Sequence, residues 1–157
     1  MVSIAAAVLG LCVLAAATAL AAAPPTREQY VAQAEQICKS GSPAAFAHLK
    51  SAKKNIQKDK AELGGRELIQ VSEMFKSMGK RIKAIPKPTE DTETLAEWAD
   101  KLDEENVVLR KAGEALVSGQ KVKGQGYLTR FLHNSAAARD VVLGFGFNYC
   151  LFRNSGI

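Results

Sequence analysis

The sequence predicts an all-α fold. It reads as an antiparallel four-helix bundle, its first helix kinked near residues 40–43, behind an N-terminal signal segment and held by one disulfide. Three observations carry this. Apolar residues recur in alternating steps of three and four, and no segment sustains the period-two alternation of a half-buried strand. Short breaks bearing Gly or Pro separate these stretches, and long helices on short connections favour up-down-up-down packing. The chain has 157 residues, which fits one domain with its own core.

Residues 1–23 carry no charged side chain and are rich in alanine. The apolar run from Ile4 to Ala23 partitions into a membrane. Ala19-Leu20-Ala21 supplies the small residues that a signal peptidase accepts before its cut. The expectation is a signal peptide over 1–21 and a helical domain over 22–157, secreted or held in the periplasm or cell envelope. No Lys or Arg precedes the run, and its length is close to a membrane span, so an uncleaved anchor competes. Only that reading places the protein on a membrane. Cys12 leaves with the signal, and an even pair, Cys38 and Cys150, remains, which in an exported chain reads as a disulfide. Two free buried thiols are the competing reading. A zinc site is weaker, because two Cys and two His at no ligand spacing do not make one.

The first helix starts near residue 26, where Thr26 and Gln29 have capping-box spacing. Ser40-Gly41-Ser42-Pro43 breaks or kinks it, with Ser42 able to cap a restart and Pro43 suited to a first helical position. It continues to about Leu63, where Gly64-Gly65 stops it. A second helix covers 66–84 with the stripe Leu68, Val71, Phe75, Met78, Ile82 and Ile85. Pro86 and Pro88 end it, and Thr89 can cap the next. The third helix spans 90–117 with the seam Leu95, Trp98, Leu102, Glu105, Leu109, Ala112 and Leu116, closed by Ser118-Gly119. The fourth runs from about 126 to 152 with the seam Leu128, Phe131, Ser135, Ala138, Val142, Phe145, Tyr149 and Phe152. In this topology the end of the fourth helix returns to the first. Cys38 and Cys150 each stand one position past a seam residue and could bridge the two.

The net charge of +5 is unevenly spread. Residues 50–87 hold 11 basic and 4 acidic groups, residues 90–115 hold 3 and 9, and residues 118–157 hold 5 and 1. An acidic third helix between basic neighbours lets their fields partly cancel. The sharper reading gathers Lys50, Lys53, Lys54, Lys58, Lys76, Lys80, Arg81 and Lys83 into a patch for an anionic cell-envelope component. Aromatic residues do not interleave with these lysines, so a stacking platform for nucleic acid is not expected.

Residues with catalytic potential are few. His48 and His133 have no evident acidic partner, and both read as exposed or structural. Ser135 reads as a small residue whose hydroxyl bonds a carbonyl one turn back. Glu105 interrupts an apolar seam and must find a partner or shift its pKa. Arg130 or Arg139 of the fourth helix is the expected partner. No cofactor is expected: covalent haem needs Cys-x-x-Cys-His, which is absent, and a Met/His pair would require Met74 or Met78 with His48 or His133. Gly124-Gln-Gly126 and Gly144-Phe-Gly146 lack the strand context of nucleotide loops.

Behind the export signal, three short motifs occur together: Tyr30-Val-Ala-Gln-Ala-Glu-Gln-Ile-Cys38, the Pro86-Lys-Pro88 break before a Trp-bearing helix, and Gly146-Phe-Asn-Tyr-Cys150. The combination resembles a group of small secreted or lipid-anchored helical proteins of actinobacteria, which carry an early Tyr…Ala…Ile-Cys helix and a late Gly-Leu-x-x-Cys end. Here Phe147 stands in the Leu place. The resemblance covers the two ends and the middle break. It implies a Cys38–Cys150 disulfide and a helical bundle, and it implies no activity. The functional expectation is a non-enzymatic, envelope-associated or secreted interaction module. A ligand carrier with a pocket between helices is the first alternative, and an enzyme the second. A cavity lined by Glu105 and several convergent polar groups would favour the carrier or the enzyme, and a filled core with only surface charge asymmetry the interaction module.

Overall fold

The computed structural model describes residues 23–151. The signal segment over 1–21, with Cys12, and Phe152 at the end of the expected fourth seam lie outside them. The described chain forms four helices: α1 (Arg27–Gln57), α2 (Ala61–Lys83), α3 (Thr92–Val117) and α4 (Lys121–Val141). Successive helices pack against each other as antiparallel neighbours, with extensive α1–α2, α2–α3 and α3–α4 interfaces. The α1–α4 seam that would close the bundle is much thinner.

The N-terminus of α1 forms as its sequence directs. Thr26 accepts the Gln29 amide at 3.3 Å, and the Gln29 side chain accepts the Thr26 amide at 2.9 Å. The chain does not break at 40–43, and α1 runs through Pro43 for 31 residues. Proline inside a helix costs about 3 kcal/mol. Burial outweighs that here, because Ile37 and Cys38 before Pro43 and Ala45 and Leu49 after it lie on one continuous buried face. Gly41 is part of the same fit, since a Cβ there would meet Met78 Sδ at 2.2 Å.

The stop assigned to Gly64-Gly65 is also corrected. The chain turns earlier, through Lys58-Asp59-Lys60, with Asp59 in the left-handed region at φ 58°. Asp tolerates that conformation better than most residues, and Lys121 holds its carboxylate at 2.6 Å. Both glycines lie inside α2, where they serve packing. A Cβ on Gly65 would sit 2.6 Å from the Gly113 carbonyl oxygen, and one on Gly113 would sit 2.7 Å from that of Gly65. This pair lets the α2 and α3 backbones nearly touch.

The second stripe is as read, with Leu68, Val71, Met78, Ile82 and Ile85 buried. Thr89 does not cap α3. It opens a 3₁₀ turn over Thr89–Asp91, and the Thr92 hydroxyl donates to the Pro88 carbonyl at 3.0 Å. Asp91 is buried and receives two bonds from the Arg27 guanidinium, at 2.8 and 2.5 Å. The ends of α4 are shifted as well. It begins at Lys121 and ends at Val141, followed by a 3₁₀ turn over Leu143–Phe145 and a left-handed Gly146 at φ 79°. That reversal buries Phe147 completely and leaves Tyr149 41% exposed, the opposite of an extended helical seam. Phe147 stacks on Trp98 with ring centroids 5.1 Å apart.

The reversal delivers Cys150 to Cys38, and the two form the disulfide, 112 residues apart in sequence. Both sulfurs lie in the core, rather than beside it. Around them one cluster joins Tyr30, Ile37, Ile82, Leu95, Trp98 and Phe147. A second, at the other end, joins Leu49, Leu68, Val71, Leu109, Leu116 and Phe131. Phe75 packs against both.

Cys38→Ser is expected to lower the melting temperature under oxidising conditions by the equivalent of about 2–5 kcal/mol. A variant that melts with the parent would remove the bridge from the account of stability. Gly65→Ala is expected to cost about 1–3 kcal/mol through overpacking against Gly113. Gly126→Ala faces open space in α4 and should instead gain up to about 1 kcal/mol of helix propensity. Chemical denaturation of the two variants side by side checks both signs.

Candidate functional site

The junction of the two core clusters is not filled. A cavity of about 220 Å³ lies there, opening along the thin α1–α4 seam. Phe46 and Leu49 reach it from α1, Phe75 from α2, Trp98, Leu102 and Glu105 from α3, and Phe131, Leu132, Ser135 and Arg139 from α4. Cys150 and Leu151 of the returning segment complete one end. A smaller hollow of about 30 Å³ lies on the α2 side of the same residues, and Phe75, Trp98, Leu102, Cys150 and Glu105 border both.

Glu105 is the polar centre of this waist and is only 4% exposed. Among the described residues no Lys or Arg lies within ion-pair distance of it. The expected partners are engaged elsewhere or stand at the rim. Arg130 binds Glu104, one residue earlier, at 2.9 Å. Arg139 lines the cavity but is half exposed, its nearest acid being Asp140 at 3.9 Å. The Ser135 hydroxyl lines the same cavity, near enough to favour the ionised carboxyl. Burial pushes the Glu105 carboxyl up to about 7, against the smaller opposing effect of Ser135.

The eight basic residues fall into two groups. Gly41 stands against Met78, and Gly64 against Ile56, so α1 and α2 run in opposite directions level with each other. Lys50, Lys53, Lys54 and Lys58 are exposed at the far end of the hairpin. Lys76, Lys80, Arg81 and Lys83 are offset from them along the axes by about 10 Å (Lys50 to Lys76) to about 30 Å (Lys58 to Lys83) at 1.5 Å per helical residue. Lys83 is bound to Asp103 at 2.6 Å. The acidic α3 is knitted to both neighbours, through that pair, through Glu73–Arg110 and through Glu104–Arg130.

His48 does have an acidic partner, which spacing along the chain concealed. Its Nδ1 lies 2.5 Å from Glu67 of α2, and the Ser51 hydroxyl donates to the same carboxylate at 3.0 Å. The His48 bond, more than burial opposes it, holds Glu67 below the usual carboxylate range. The serine proton points at Glu67 rather than at the imidazole, so this cluster does not activate the hydroxyl as a nucleophile. His133 is exposed, and Met78 is buried in the cluster around the disulfide. Among the described residues no group of three or more His, Cys, Asp or Glu is placed to share a metal ion, and no helix is long and apolar enough to cross a membrane.

These features define a disulfide-tied helical bundle with an aromatic-walled interhelical cavity and a buried carboxyl. No protein-family model, curated protein or solved structure matches this chain.

The raised pKa fixes the sign of a pH effect. Between about pH 4.5 and 7 the folded state holds a proton on Glu105 that the unfolded chain has lost, so stability falls as pH rises through that window. The full loss is about 3 kcal/mol. Glu105→Gln should abolish this component and be more stable than the parent at pH 8, by up to about that amount. Urea titrations at pH 5 and pH 8 decide it, and an unchanged pH dependence in the variant would refute the assignment to Glu105.

Proposed function

We propose that this chain is an exported, non-enzymatic carrier that takes a small, largely apolar ligand into the cavity between its helices. One observation carries the reading: the waist cavity is walled by Phe46, Phe75, Trp98 and Phe131 and holds a buried carboxyl and a hydroxyl at its centre. An apolar cavity with a few placed polar groups is the usual form of a small-molecule site. Its volume, below the range for drug-sized ligands, suits a molecule about as large as a substituted benzene, since an apolar cavity of about 150 Å³ admits benzene itself. Export is supported by the Cys38–Cys150 bridge, which suits an oxidising compartment, and by the uncharged apolar run over 4–23. Binding is favoured over catalysis because a single carboxyl defines no reaction.

Docking onto an anionic envelope component is the second reading. Its support is the exposed group Lys50, Lys53, Lys54 and Lys58 on one half of α1. The separation of these residues from Lys76, Lys80, Arg81 and Lys83 weakens it.

Trp98 is the only tryptophan of the chain and lines the cavity, so its fluorescence reports occupancy. Titration with a neutral aromatic such as 2-phenylethanol should change Trp98 emission saturably. Ala136, half-buried on the cavity wall, offers a way to fill the space. Ala136→Phe should keep the helical circular dichroism of the parent and lose the saturable response. A parent protein that shows no saturable response to any small aromatic, neutral or charged, would sink the carrier reading.

A further inference from the structure

Resting on the carrier reading, we infer that the ligand is an organic cation: an apolar, preferably aromatic body bearing an ammonium group that lies against Glu105 and Ser135 inside the waist cavity. Three features of the site converge on this chemistry.

The first is the unmet need of Glu105. A carboxyl this deeply buried costs folding free energy unless a cation or several donors meet it. Among the described residues no cation lies within ion-pair distance of it, and it borders both the main cavity and the smaller hollow beside it. A ligand nitrogen entering the cavity would supply the missing positive charge.

The second is the wall. Phe46, Phe75, Trp98 and Phe131 surround the same space. Aromatic faces carry negative quadrupole density and attract ammonium groups, with Trp the strongest. A fatty acid or other anion would meet these faces unfavourably and would bring a second negative charge toward Glu105.

The third is the surrounding charge. The residues that line either hollow from α1 and α2 are uncharged. Glu105 is the only charged lining residue of α3, and Arg139 the only one of α4. Arg139 is half exposed at the rim, where solvent screens its repulsion of an entering cation. Binding carries a proton balance: the ligand keeps its own proton, its positive charge favours the ionised carboxyl, and Glu105 gives its proton to the buffer. Burial places that carboxyl near 7, so release is largest slightly below neutrality.

The test compares three matched probes by isothermal titration calorimetry on the full chain at pH 6.5: phenethylamine, 2-phenylethanol and 3-phenylpropanoate. Phenethylamine should bind about tenfold or more tighter than the other two, the gain expected of a buried charge partner and cation–π faces together. Its binding enthalpy should change with the ionisation enthalpy of the buffer, in the sense of proton release. Glu105→Gln should reduce phenethylamine affinity about tenfold and remove the dependence of its binding enthalpy on the buffer. Equal binding of amine and alcohol, tighter binding of the carboxylate, or an amine enthalpy independent of buffer would each overturn the cation assignment while leaving the carrier reading intact. Failure of all three probes would take down both. The buffer dependence is measured on the parent protein, so the decision stands even if the variant does not fold.

Discussion

The architecture depends on how the chain is closed at one end. The α4 helix stops at Val141, short of α1, and the ten residues after it make the closure. Glu35 of α1 accepts the backbone amides of Asn148, Tyr149 and Cys150 at 3.0–3.1 Å. Cys38, almost one turn further along α1, bonds Cys150. A carboxylate gathering three amides gives charge-assisted bonds that fix a segment with no helical ladder of its own. Beneath them Phe147 lies on Trp98, and Arg27 both holds Asp91 and covers the Phe145 ring at 4.7 Å. The covalent bond, the amide cluster and the aromatic stack all act at the same level of the bundle. The rest of the α1–α4 seam receives no comparable fastening.

The other end is tightened differently. Small residues bring backbones together there: Gly65 with Gly113, Gly64 beneath Ile56, and Gly124 beneath Leu116. Aromatic stacking marks the first end and close glycine contacts the second. The cavity lies where the two clusters meet. Phe75 spans that junction without filling it. Its walls are drawn from both clusters, Trp98 from one and Leu49 and Phe131 from the other.

Most of the helical architecture was legible, because alternating steps of three and four state a buried face directly. The second and third seams, the Thr26 cap and the Cys38–Cys150 bridge all emerge as read. The misreadings share a cause: residues that act locally as punctuation were governed by tertiary packing. Pro43 is carried within α1 by the buried face on either side of it. Gly64 and Gly65 serve helix contact inside α2, while the real turn uses Lys58-Asp59-Lys60, which holds neither Gly nor Pro. The late seam misled because the pattern of three and four persists past Val141 although Gly146 reverses the chain. At the site, Glu105 was visible as an interruption of its seam. The His48–Glu67 pair was not, since it joins two helices whose relative register the sequence does not state.

Glu105 differs from the other broken rules in one respect. Each of those has a visible compensation: Pro43 a continuous buried face, Gly65 a backbone contact with Gly113, Asp59 an ion pair with Lys121. A leucine in place of Glu105 would continue the α3 seam, occupy part of the cavity and remove the cost of burying an ionisable group. The fold gains nothing from the carboxyl that such a residue would not supply better. The nearby Ser135 hydroxyl opposes the effect of burial only in part. A local choice that works against stability and faces an unfilled, aromatic-lined space is the pattern of a residue kept for what enters that space. The missing compensation for Glu105 then lies outside the chain, in the positive charge of a ligand.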